Sequence, residues 1–385
     1  MCKKPDANYQ LGFYRITALL LLFLTPAVCA YAGSPRPQTE HTDKGLNDRI
    51  AEGISLQDRL WLRGVLVSRK DSSGALISLG LADNSREVHF QRGVLAMSKE
   101  GNSLWVLRQP APGIGEFVLS VWKNDRFEDV EKFNSNAKDK PFALQNADHK
   151  LILFSPEKIR ILSLDNNRWE MLPLKGKLRN GLQKTTTATG NGKAVYIGFN
   201  TGEWGGGLQR VDLATGQVAD VQRRDTKQLC AGPLNKDCDP VTALVPDPRN
   251  ADCIFAAVGL VHMMSEGRIL RICRDEVSTF FEKTEKYSFG DKEITMTQPI
   301  FGLAVSSDGS LWAISPESLY RLGPDGNERE KFALPKPATV SGVHLSRGLQ
   351  GMIVVWTDAN WAVSVSGFTP LLVPLQDGPI QGMTH

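Results

Sequence analysis

The chain has 385 residues with a formal net charge of +3, of which 41% are hydrophobic and 23% are charged. This balance is typical of a globular protein with a sizeable core, and it excludes a mainly disordered chain. Three basic residues and one acidic residue lie in the first 32 positions, so the remainder is close to neutral. A neutral chain argues against nucleic acid or an anionic membrane surface as the main partner.

The N-terminus has the features of an export signal. Three basic residues flank or precede an apolar run over residues 16–28, and small residues follow at Ala30 and Ala32. We therefore predict a cleavable signal peptide over residues 1–32 and a periplasmic or secreted protein. A retained membrane anchor is the alternative, but the run is shorter than the ~20 residues of a membrane span. A lipid anchor on Cys29 is disfavoured because a large valine precedes it.

Residues 33–55 are mostly polar and predict a flexible linker, and residues 56–385 predict one all-β domain. In that domain short runs of Val, Ile, Leu, Phe and Trp are separated by Gly, Asp, Asn and Pro turns. A unit of four strands repeats, most clearly over residues 300–334 as "IFGLAVSSDG", "SLWAIS", "SLYRLGPDG" and "REKFAL". The first strands begin near residues 94, 141, 185, 240, 300 and 340, a spacing typical of propeller blades.

The two ends of the domain complete the count. The C-terminal segment 379–385 looks like a first strand with no strands after it, whereas residues 56–91 offer three strands with no first strand before them. We therefore predict a seven-bladed β-propeller, with six or eight blades as alternatives. Its ring is closed when the C-terminal strand joins the N-terminal blade, which removes the exposed sheet edge.

Several segments resemble known propellers. "GLAVSSDGSLWAISPESLYRLGPDG" resembles the repeats of periplasmic regulator-type sensor propellers, and "LSLDNNRWEMLPL" resembles the end of a kelch blade. "RVDLATGQV" is similar to strands of quinoprotein-type propellers. The segment from "NTGEWGGGLQRVDL" through "CDPV" to "GLVHMMSEGRI" resembles an uncharacterised family of bacterial secreted propellers. These resemblances imply the fold and carry no activity with them.

The four cysteines outside the signal peptide are Cys230, Cys238, Cys253 and Cys273. An even, clustered set in an exported chain predicts two disulfides. A zinc site is the alternative, but the chain has no Cys-x-x-Cys pair. If residues 253–273 form a hairpin, Cys253 faces Cys273 and the other two cysteines pair with each other. The two other pairings remain open at this point.

Few signatures of an enzyme are present. The chain has no G-x-S-x-G, H-E-x-x-H or phosphate-loop motif, and Asp308 in "SSDGSLW" is better interpreted as a turn residue than as part of a sialidase box. The predicted inner strands carry mainly neutral polar residues, namely Gln145, Thr187, Thr242, His344, Gln381 and His385. The carboxylates of their hairpins lie at the far turns: Asp148, Asp247 and Asp308. We therefore predict no metal centre and no cofactor.

Propeller geometry brings four loops to one side of the disc. Loops between second and third strands share a face with the connections between blades, so residues 200–207, 225–240, 261–267 and 282–299 are predicted neighbours. We call these four segments the four-loop face. Its candidate binding residues are Glu203, Trp204, Asn235, Asp239, His262 and Arg268. Each of them taken singly also has a structural interpretation, as a turn, cap or strand-end residue.

Two classes of function remain open. The first and favoured one is a monomeric binding or sensing module that recognises a peptide, protein or glycan on this face. The second is a propeller hydrolase or lyase that acts through Glu203, His262 and Asp239. A deep cleft with an acid or base beside His262 would favour the second class.

Overall fold

The computed structural model describes residues 48–66, 73–83, 85–111, 115–179, 185–190, 192–262, 264–289, 292–306, 308–334, 343–347, 352–357 and 371–374. The chain divides into two units, Met1–Thr42 and Asp43–His385, and all described residues belong to the second. The predicted signal peptide and segment 379–385 lie outside the described residues. Besides β-strands, the described residues contain two short 3₁₀ helices, Ala137–Asp139 and Gly202–Trp204, and no helix long and apolar enough to cross a membrane.

The N-terminal sheet has seven antiparallel strands in chain order. They are β1 (Asp48–Leu56), β2 (Arg59–Leu66), β3 (Gly74–Gly80), β4 (Arg86–Glu100), β5 (Ser103–Arg108), β6 (Glu116–Lys123) and β7 (Arg126–Asn134). The first half of β4 pairs with β3 and its second half pairs with β5. This sheet is therefore two four-stranded units, β1–β4 and β4–β7, that share one long strand.

Gly93 marks the place where β4 passes from one unit to the next. Its φ is +87°, and a Cβ atom there would lie 2.5 Å from the carbonyl oxygen of Gln109. The Gln109 amide donates a hydrogen bond to the Gly93 carbonyl at 2.7 Å. Only glycine accepts both this backbone conformation and this close approach.

Six further sheets follow among the described residues, all antiparallel, and one of them is a two-stranded hairpin. The next three have four strands each: β8 (Ala143–Ala147), β9 (Lys150–Phe154), β10 (Lys158–Ser163), β11 (Arg168–Pro173); β12 (Thr185–Gly190), β13 (Ala194–Asn200), β14 (Leu208–Asp212), β15 (Val218–Val221); and β16 (Val241–Pro246), β17 (Cys253–His262), β18 (Met264–Cys273), β19 (Glu276–Phe281). A hairpin comes next, with strands β20 (Thr284–Phe289) and β21 (Lys292–Thr297). The last two sheets are β22 (Gly302–Val305), β23 (Leu311–Ile314), β24 (Ser318–Leu322), β25 (Glu328–Ala333); and β26 (Val343–Arg347), β27 (Met352–Thr357), β28 (Leu371–Pro374).

The predicted all-β class is confirmed, and so is the repeat of four-stranded units. Pairing of β4 with β5 begins at Val94, and the later first strands begin at Ala143, Thr185, Val241, Gly302 and Val343, within three residues of the predicted positions. These first strands lie against one another in chain order, from β4 through β8, β12, β16 and β22 to β26. In addition, β26 contacts β1, and β1 contacts β4.

Apolar side chains fill the space between consecutive sheets. Leu119 of β6 and Leu153 of β9 share one cluster, and Tyr196 of β13 and Ile254 of β17 share another. Trp61 of β2 is buried in a third cluster between the first two units. The sheet that contains β13 is packed on both faces by its neighbours, which explains why β13 is apolar almost throughout.

The predicted closure was wrong at the N-terminal unit. We expected segment 379–385 to supply its first strand, but that place is taken by β1, which pairs with β2 from Asp48↔Leu66 to Leu56↔Arg59. The edge of β2 that the prediction left open is already hydrogen-bonded, and a strand edge takes one partner on each side. Residues 48–55 were also predicted as linker, because "DRIAEGIS" has charged residues and a glycine where a strand pattern expects apolar ones.

Candidate recognition face

The four predicted loops are neighbours in the structure. The Gly206 amide donates to the Lys236 carbonyl at 2.9 Å, and Arg268 Nε donates to the Pro233 carbonyl at 2.7 Å. The Gly267 amide donates to Thr297 Oγ1 at 2.9 Å. The 3₁₀ helix Gly202–Trp204 lies against β17. Contacts thus link all four segments of the four-loop face.

Three consecutive glycines let two of these loops approach closely. Gly205, Gly206 and Gly207 have φ values of +73°, +135° and +65°. A Cβ atom on Gly205 would lie 2.5 Å from the Asp237 carbonyl carbon, and one on Gly207 would lie 2.7 Å from the Lys236 Cα. The glycine run therefore serves backbone contact between the loops as well as the turn itself.

A buried ion pair fixes the loop of residues 225–240. Arg268 Nη2 lies 2.7 Å from Asp239 Oδ1, with side chains only 7% and 2% exposed, and Arg268 Nη1 donates to Glu266 at 2.6 Å. Burial acts to lower the pKa of Arg268, but the two carboxylates outweigh it, so the pKa is raised and the guanidinium stays charged. Asp239 Oδ2 in turn accepts from the Asn235 amide at 2.6 Å.

Asn235 organises the same loop and is completely buried. Its Oδ1 accepts from the Asp237 amide at 3.0 Å and from Arg224 Nη2 at 3.2 Å. We predicted that Asn235, Asp239 and Arg268 contact a ligand directly, and this stays a prediction. All three side chains are buried: Asp239 and Arg268 bond to each other, Asn235 Oδ1 accepts from the loop backbone, and Arg268 also lines the groove described below.

Three of the described side chains project from this anchored base. Trp204 is 77% exposed, and Glu203 beside it is also exposed. Leu229 is 81% exposed, the highest value among the large apolar side chains that the structure describes as exposed. The sequence analysis missed Leu229, although it is a lone large apolar residue in the polar stretch "DTKQLCAG". His262 is the last residue of β17, and its side chain lies outside the described part of the chain.

Both disulfides form as predicted. Cys253 and Cys273 occupy opposite positions of β17 and β18, with Cα atoms 4.1 Å apart, and they are bonded. Cys230 and Cys238 are bonded across the loop, with Cα atoms 5.4 Å apart. All four sulfurs are consumed in this way, so the alternative of a zinc site on these cysteines was wrong. Within the described ranges no other cluster of His, Cys, Asp and Glu fits a metal ion.

An open groove of about 370 Å³ runs beside the disulfide loop. Its described lining is polar: Arg223, Asp225, Gly232, Pro233, Arg268, Ser278, Thr279 and Glu282. Arg223 is held by Asp225 at 3.2 Å and by the Val277 carbonyl at 3.0 Å. The described lining contains neither histidine nor cysteine, and its hydroxyl and carboxylate groups are those of Ser278, Thr279, Asp225 and Glu282.

The first strands carry one carboxylate that the sequence analysis did not place there. Glu52 of β1 is half-buried and accepts from Arg63 Nε at 2.8 Å and from the Met97 amide at 3.3 Å. Burial raises its pKa, while Arg63 opposes the increase. Thr242 donates to the Ile300 carbonyl at 2.6 Å, and Gln145 donates to the Asn146 carbonyl at 2.7 Å, so both are structural.

The remaining inner-strand candidates were the side chains of Thr187 and His344 and the residues Gln381 and His385, which lie outside the described part of the chain. Asp308 is a turn residue, as predicted. It accepts from the Ser310 amide at 2.9 Å and from Arg321 Nη2 at 2.6 Å.

No protein-family model and no curated protein matches this chain. Solved structures resemble it at low sequence identity. The extracellular domain of the putative one component system BT4673 from B. thetaiotaomicron is 14% identical, with a TM-score of 0.48 over 81% of this chain and 38% of that one. This chain thus spans well under half of that protein's length. A catalytically inactive virginiamycin B lyase from Staphylococcus aureus, solved with quinupristin, is 10% identical, with a TM-score of 0.48 over 82% and 94%. Hsv2 from Kluyveromyces lactis is 12% identical, with a TM-score of 0.43 over 81% and 90%.

Proposed function

We propose that this protein is an exported, seven-bladed β-propeller whose four-loop face binds a protein partner in the cell envelope. The four-stranded units are the blades and their first strands surround the axis. The contacts of β26 with β1 and of β1 with β4 support a ring whose N-terminal blade is complete without the C-terminal segment. The signal peptide predicted over residues 1–32 is the reason to propose export.

One observation carries the binding function: the two most exposed large apolar side chains of the described residues, Trp204 and Leu229, stand on adjoining loops of one anchored face. Removing apolar surface from water contributes about 25 cal/mol for every Å² buried, so burial of these side chains against a partner would favour binding. The loop beneath them is held by the Cys230–Cys238 disulfide, the Arg268–Asp239 pair and the contacts of Gly205. A surface that is ordered beforehand loses less entropy on binding.

The chemistry of the face favours a protein over a glycan. A sugar-binding site pairs an aromatic platform with polar side chains that bond to hydroxyl groups. Here the polar side chains of Asn235, Asp239 and Arg268 are buried, and Asp239 and Arg268 are paired with each other. Leu229, an aliphatic side chain with no polar atom, is exposed in their place. An aromatic and an aliphatic anchor together suit the apolar centre of a protein interface.

The same burial weakens the alternative of a hydrolase or lyase. That activity was assigned to Glu203, His262 and Asp239, but Asp239 is 2% exposed and is occupied by Arg268. A catalytic acid or base must reach the substrate. We therefore favour binding and treat catalysis as a result that the experiment below would reveal.

The experiment compares binding by four versions of the mature protein. They are the wild type, Trp204→Ala, Leu229→Ala and a control, Met171→Ala. The control removes an apolar side chain that is 60% exposed on β11. Envelope proteins cross-linked to each version are quantified by mass spectrometry. We expect at least one protein whose yield falls by about thirtyfold in Trp204→Ala, and also falls in Leu229→Ala, because central anchors contribute roughly 2 kcal/mol or more.

Met171→Ala should leave that yield unchanged. If every captured protein responds equally to Met171→Ala and Trp204→Ala, the proposed face is wrong. A glycan array is tested in parallel. If a glycan binds in a way that depends on Trp204, and no captured protein depends on Trp204, then the ligand is a glycan and the proposed protein partner is wrong. Turnover of a lactone or peptide library that depends on Glu203 would replace binding with catalysis.

A further inference from the structure

The two disulfides have different surroundings. Cys253 is 1% exposed, and the bond to Cys273 joins central strands β17 and β18. Cys230 is exposed to solvent and lies in the loop, while its partner Cys238 is only 9% exposed. A thiolate must reach one of the two sulfurs to open a disulfide. In the loop disulfide Cys230 is exposed, whereas in the strand disulfide Cys253 is buried and Cys273 is only half-buried, so the loop disulfide is the more accessible of the two.

The two parts of the loop are held in different ways. Residues 232–240 are bonded to the body of the protein through Leu234, Lys236 and Asp239. Residues 226–231 contain only two hydrogen bonds, from the Gln228 amide to Thr226 and from the Ala231 amide to the Gln228 carbonyl, and both stay within the stretch. Among the described residues, no hydrogen bond joins 226–231 to the rest of the protein. The disulfide is therefore the main constraint on the part of the loop that carries Leu229.

We propose that Cys230–Cys238 is a thiol-exchange site for a dithiol reductant, and that its opening releases Leu229 from the four-loop face while Trp204 stays in place. One thiolate of the dithiol attacks Cys230 Sγ, the bond to Cys238 breaks, and Cys238 leaves as a thiolate that takes up a proton. The second thiol then attacks the mixed disulfide and releases Cys230. The protein gains two electrons and two protons, and the dithiol becomes a disulfide.

Opening the disulfide affects Leu229 and Trp204 differently, because they depend on different parts of the loop. The 3₁₀ helix with Trp204 is supported by the half that does not depend on the disulfide, through Gly205, Gly206 and their contacts with Lys236 and Asp237. Opening the disulfide thus removes one of the two apolar anchors. The effect on a partner rests on the function proposed above, whereas the exchange chemistry does not depend on any partner.

The first test measures the exchange itself. The mature protein is treated with graded dithiothreitol, quenched with acid, alkylated and mapped by mass spectrometry. We expect Cys230 and Cys238 to be alkylated at least about tenfold faster than Cys253 and Cys273, since access of the attacking thiolate limits the rate. Equal rates, or faster opening of Cys253–Cys273, would overturn the proposal.

The second test measures which part of the loop is released. Lys227 lies in the stretch that the disulfide constrains, and Lys236 lies in the anchored half, so trypsin compares the two in one molecule. In the double variant Cys230→Ser/Cys238→Ser we expect cleavage after Lys227 to rise by about tenfold and cleavage after Lys236 to stay as in wild type. A similar increase at both sites would show that the whole loop depends on the disulfide, which overturns the selective release.

The third test measures whether loss of the Cys230–Cys238 disulfide weakens binding of the partner. The double serine variant should bind the cross-linked partner as weakly as Leu229→Ala, and adding Trp204→Ala to it should weaken binding further. Binding of the double variant at the wild-type level would overturn the release of Leu229. If no partner responds to Trp204→Ala, the proposed function fails, and the alkylation and trypsin results still decide the exchange site on their own.

Discussion

At the scale of single residues, the buried charges of Arg268 and Asp239 compensate each other. Both side chains are almost fully buried, and Arg268 Nη2 lies 2.7 Å from Asp239 Oδ1. Removal of one partner leaves the other as an unpaired charge in the interior, which costs far more than the loss of an exposed ion pair. The pair therefore stabilises the anchored half of the loop, residues 232–240, although both side chains are almost fully buried.

We predict that Arg268→Met lowers the free energy of unfolding by about 3–5 kcal/mol, measured by urea denaturation. The matched control is Lys236→Met, which removes an ion pair to Asp220 whose lysine is 38% exposed. The control should lose no more than about 1 kcal/mol, because exposed pairs contribute little. Equal losses in both variants would contradict the role given to burial.

His89 is a second residue whose setting decides its chemistry. Its side chain is 5% exposed and lies against Trp61 and Trp122, with ring centroids 4.7 Å and 4.9 Å away. Ser78 Oγ accepts a hydrogen bond from Arg59 and lies 2.9 Å from His89 Nε2.

Burial lowers the pKa of His89; Glu87 opposes this decrease and Arg59 adds to it. The folded pKa lies below the usual 6.5, so the unfolded chain takes up this proton first as the pH falls. The stability that the neutral ring contributes is present above about pH 6.5 and is lost as the pH falls through the folded pKa. Urea denaturation at several pH values should show a steeper loss toward acid in wild type than in His89→Gln; parallel profiles would contradict this prediction.

At the scale of elements, the loop 200–207 depends on its glycines for position. Gly205 combines a φ of +73° with a neighbouring backbone that leaves no space for a Cβ atom. Gly101, in the turn after β4, has a φ of +53° and nothing within 4 Å of its Cβ position. The two positions separate the cost of the backbone conformation from the cost of the close approach.

We predict that Gly205→Ala destabilises the protein by about 2–4 kcal/mol and Gly101→Ala by about 1 kcal/mol, because only the first adds a clash to a left-handed conformation. Hydrogen exchange should show lost protection at the Gly206 and Gly207 amides in Gly205→Ala alone. Equal destabilisation in both variants would mean that backbone conformation, and not contact between the loops, requires the glycine.

At the scale of the whole molecule, β1 is the element that completes the N-terminal unit. It covers the edge of β2, and its residue Glu52 bonds to Arg63 of β2 and to the backbone of β4 at Met97. It also contacts β26, the first strand of the last sheet. Loss of β1 would expose one row of backbone groups and separate the two ends of the described domain.

We predict that a chain beginning at residue 48 unfolds at the same urea concentration as one beginning at residue 33. A chain beginning at residue 57 should unfold at a much lower concentration or fail to fold, because the paired edge of β2 is exposed. Size-exclusion chromatography would show aggregation of the shortest chain. Wild-type stability without residues 48–56 would contradict the place given to β1.

The sequence by itself determined the class of fold and the repeat, and it favoured the cysteine pairing that the structure shows. Apolar runs of strand length between turn residues repeat at a near-regular spacing, so the start of β12 at Thr185 and that of β16 at Val241 could be read within three residues. The pairing of Cys253 with Cys273 followed from one hairpin, whose register depends on local chain geometry. The adjacency of the four loops followed from the connectivity of the repeat.

Only the tertiary structure decided which side chains of those loops are exposed. Asn235, Asp239 and Arg268 look like surface residues in the sequence, but contacts between loops, such as the one joining Arg268 and Pro233 across 35 positions, bury them. The strand β1 was likewise hidden, because its mixed composition becomes a strand only when β2 offers it an edge. Burial and long-range pairing depend on residues distant in the chain, and no local pattern contains them.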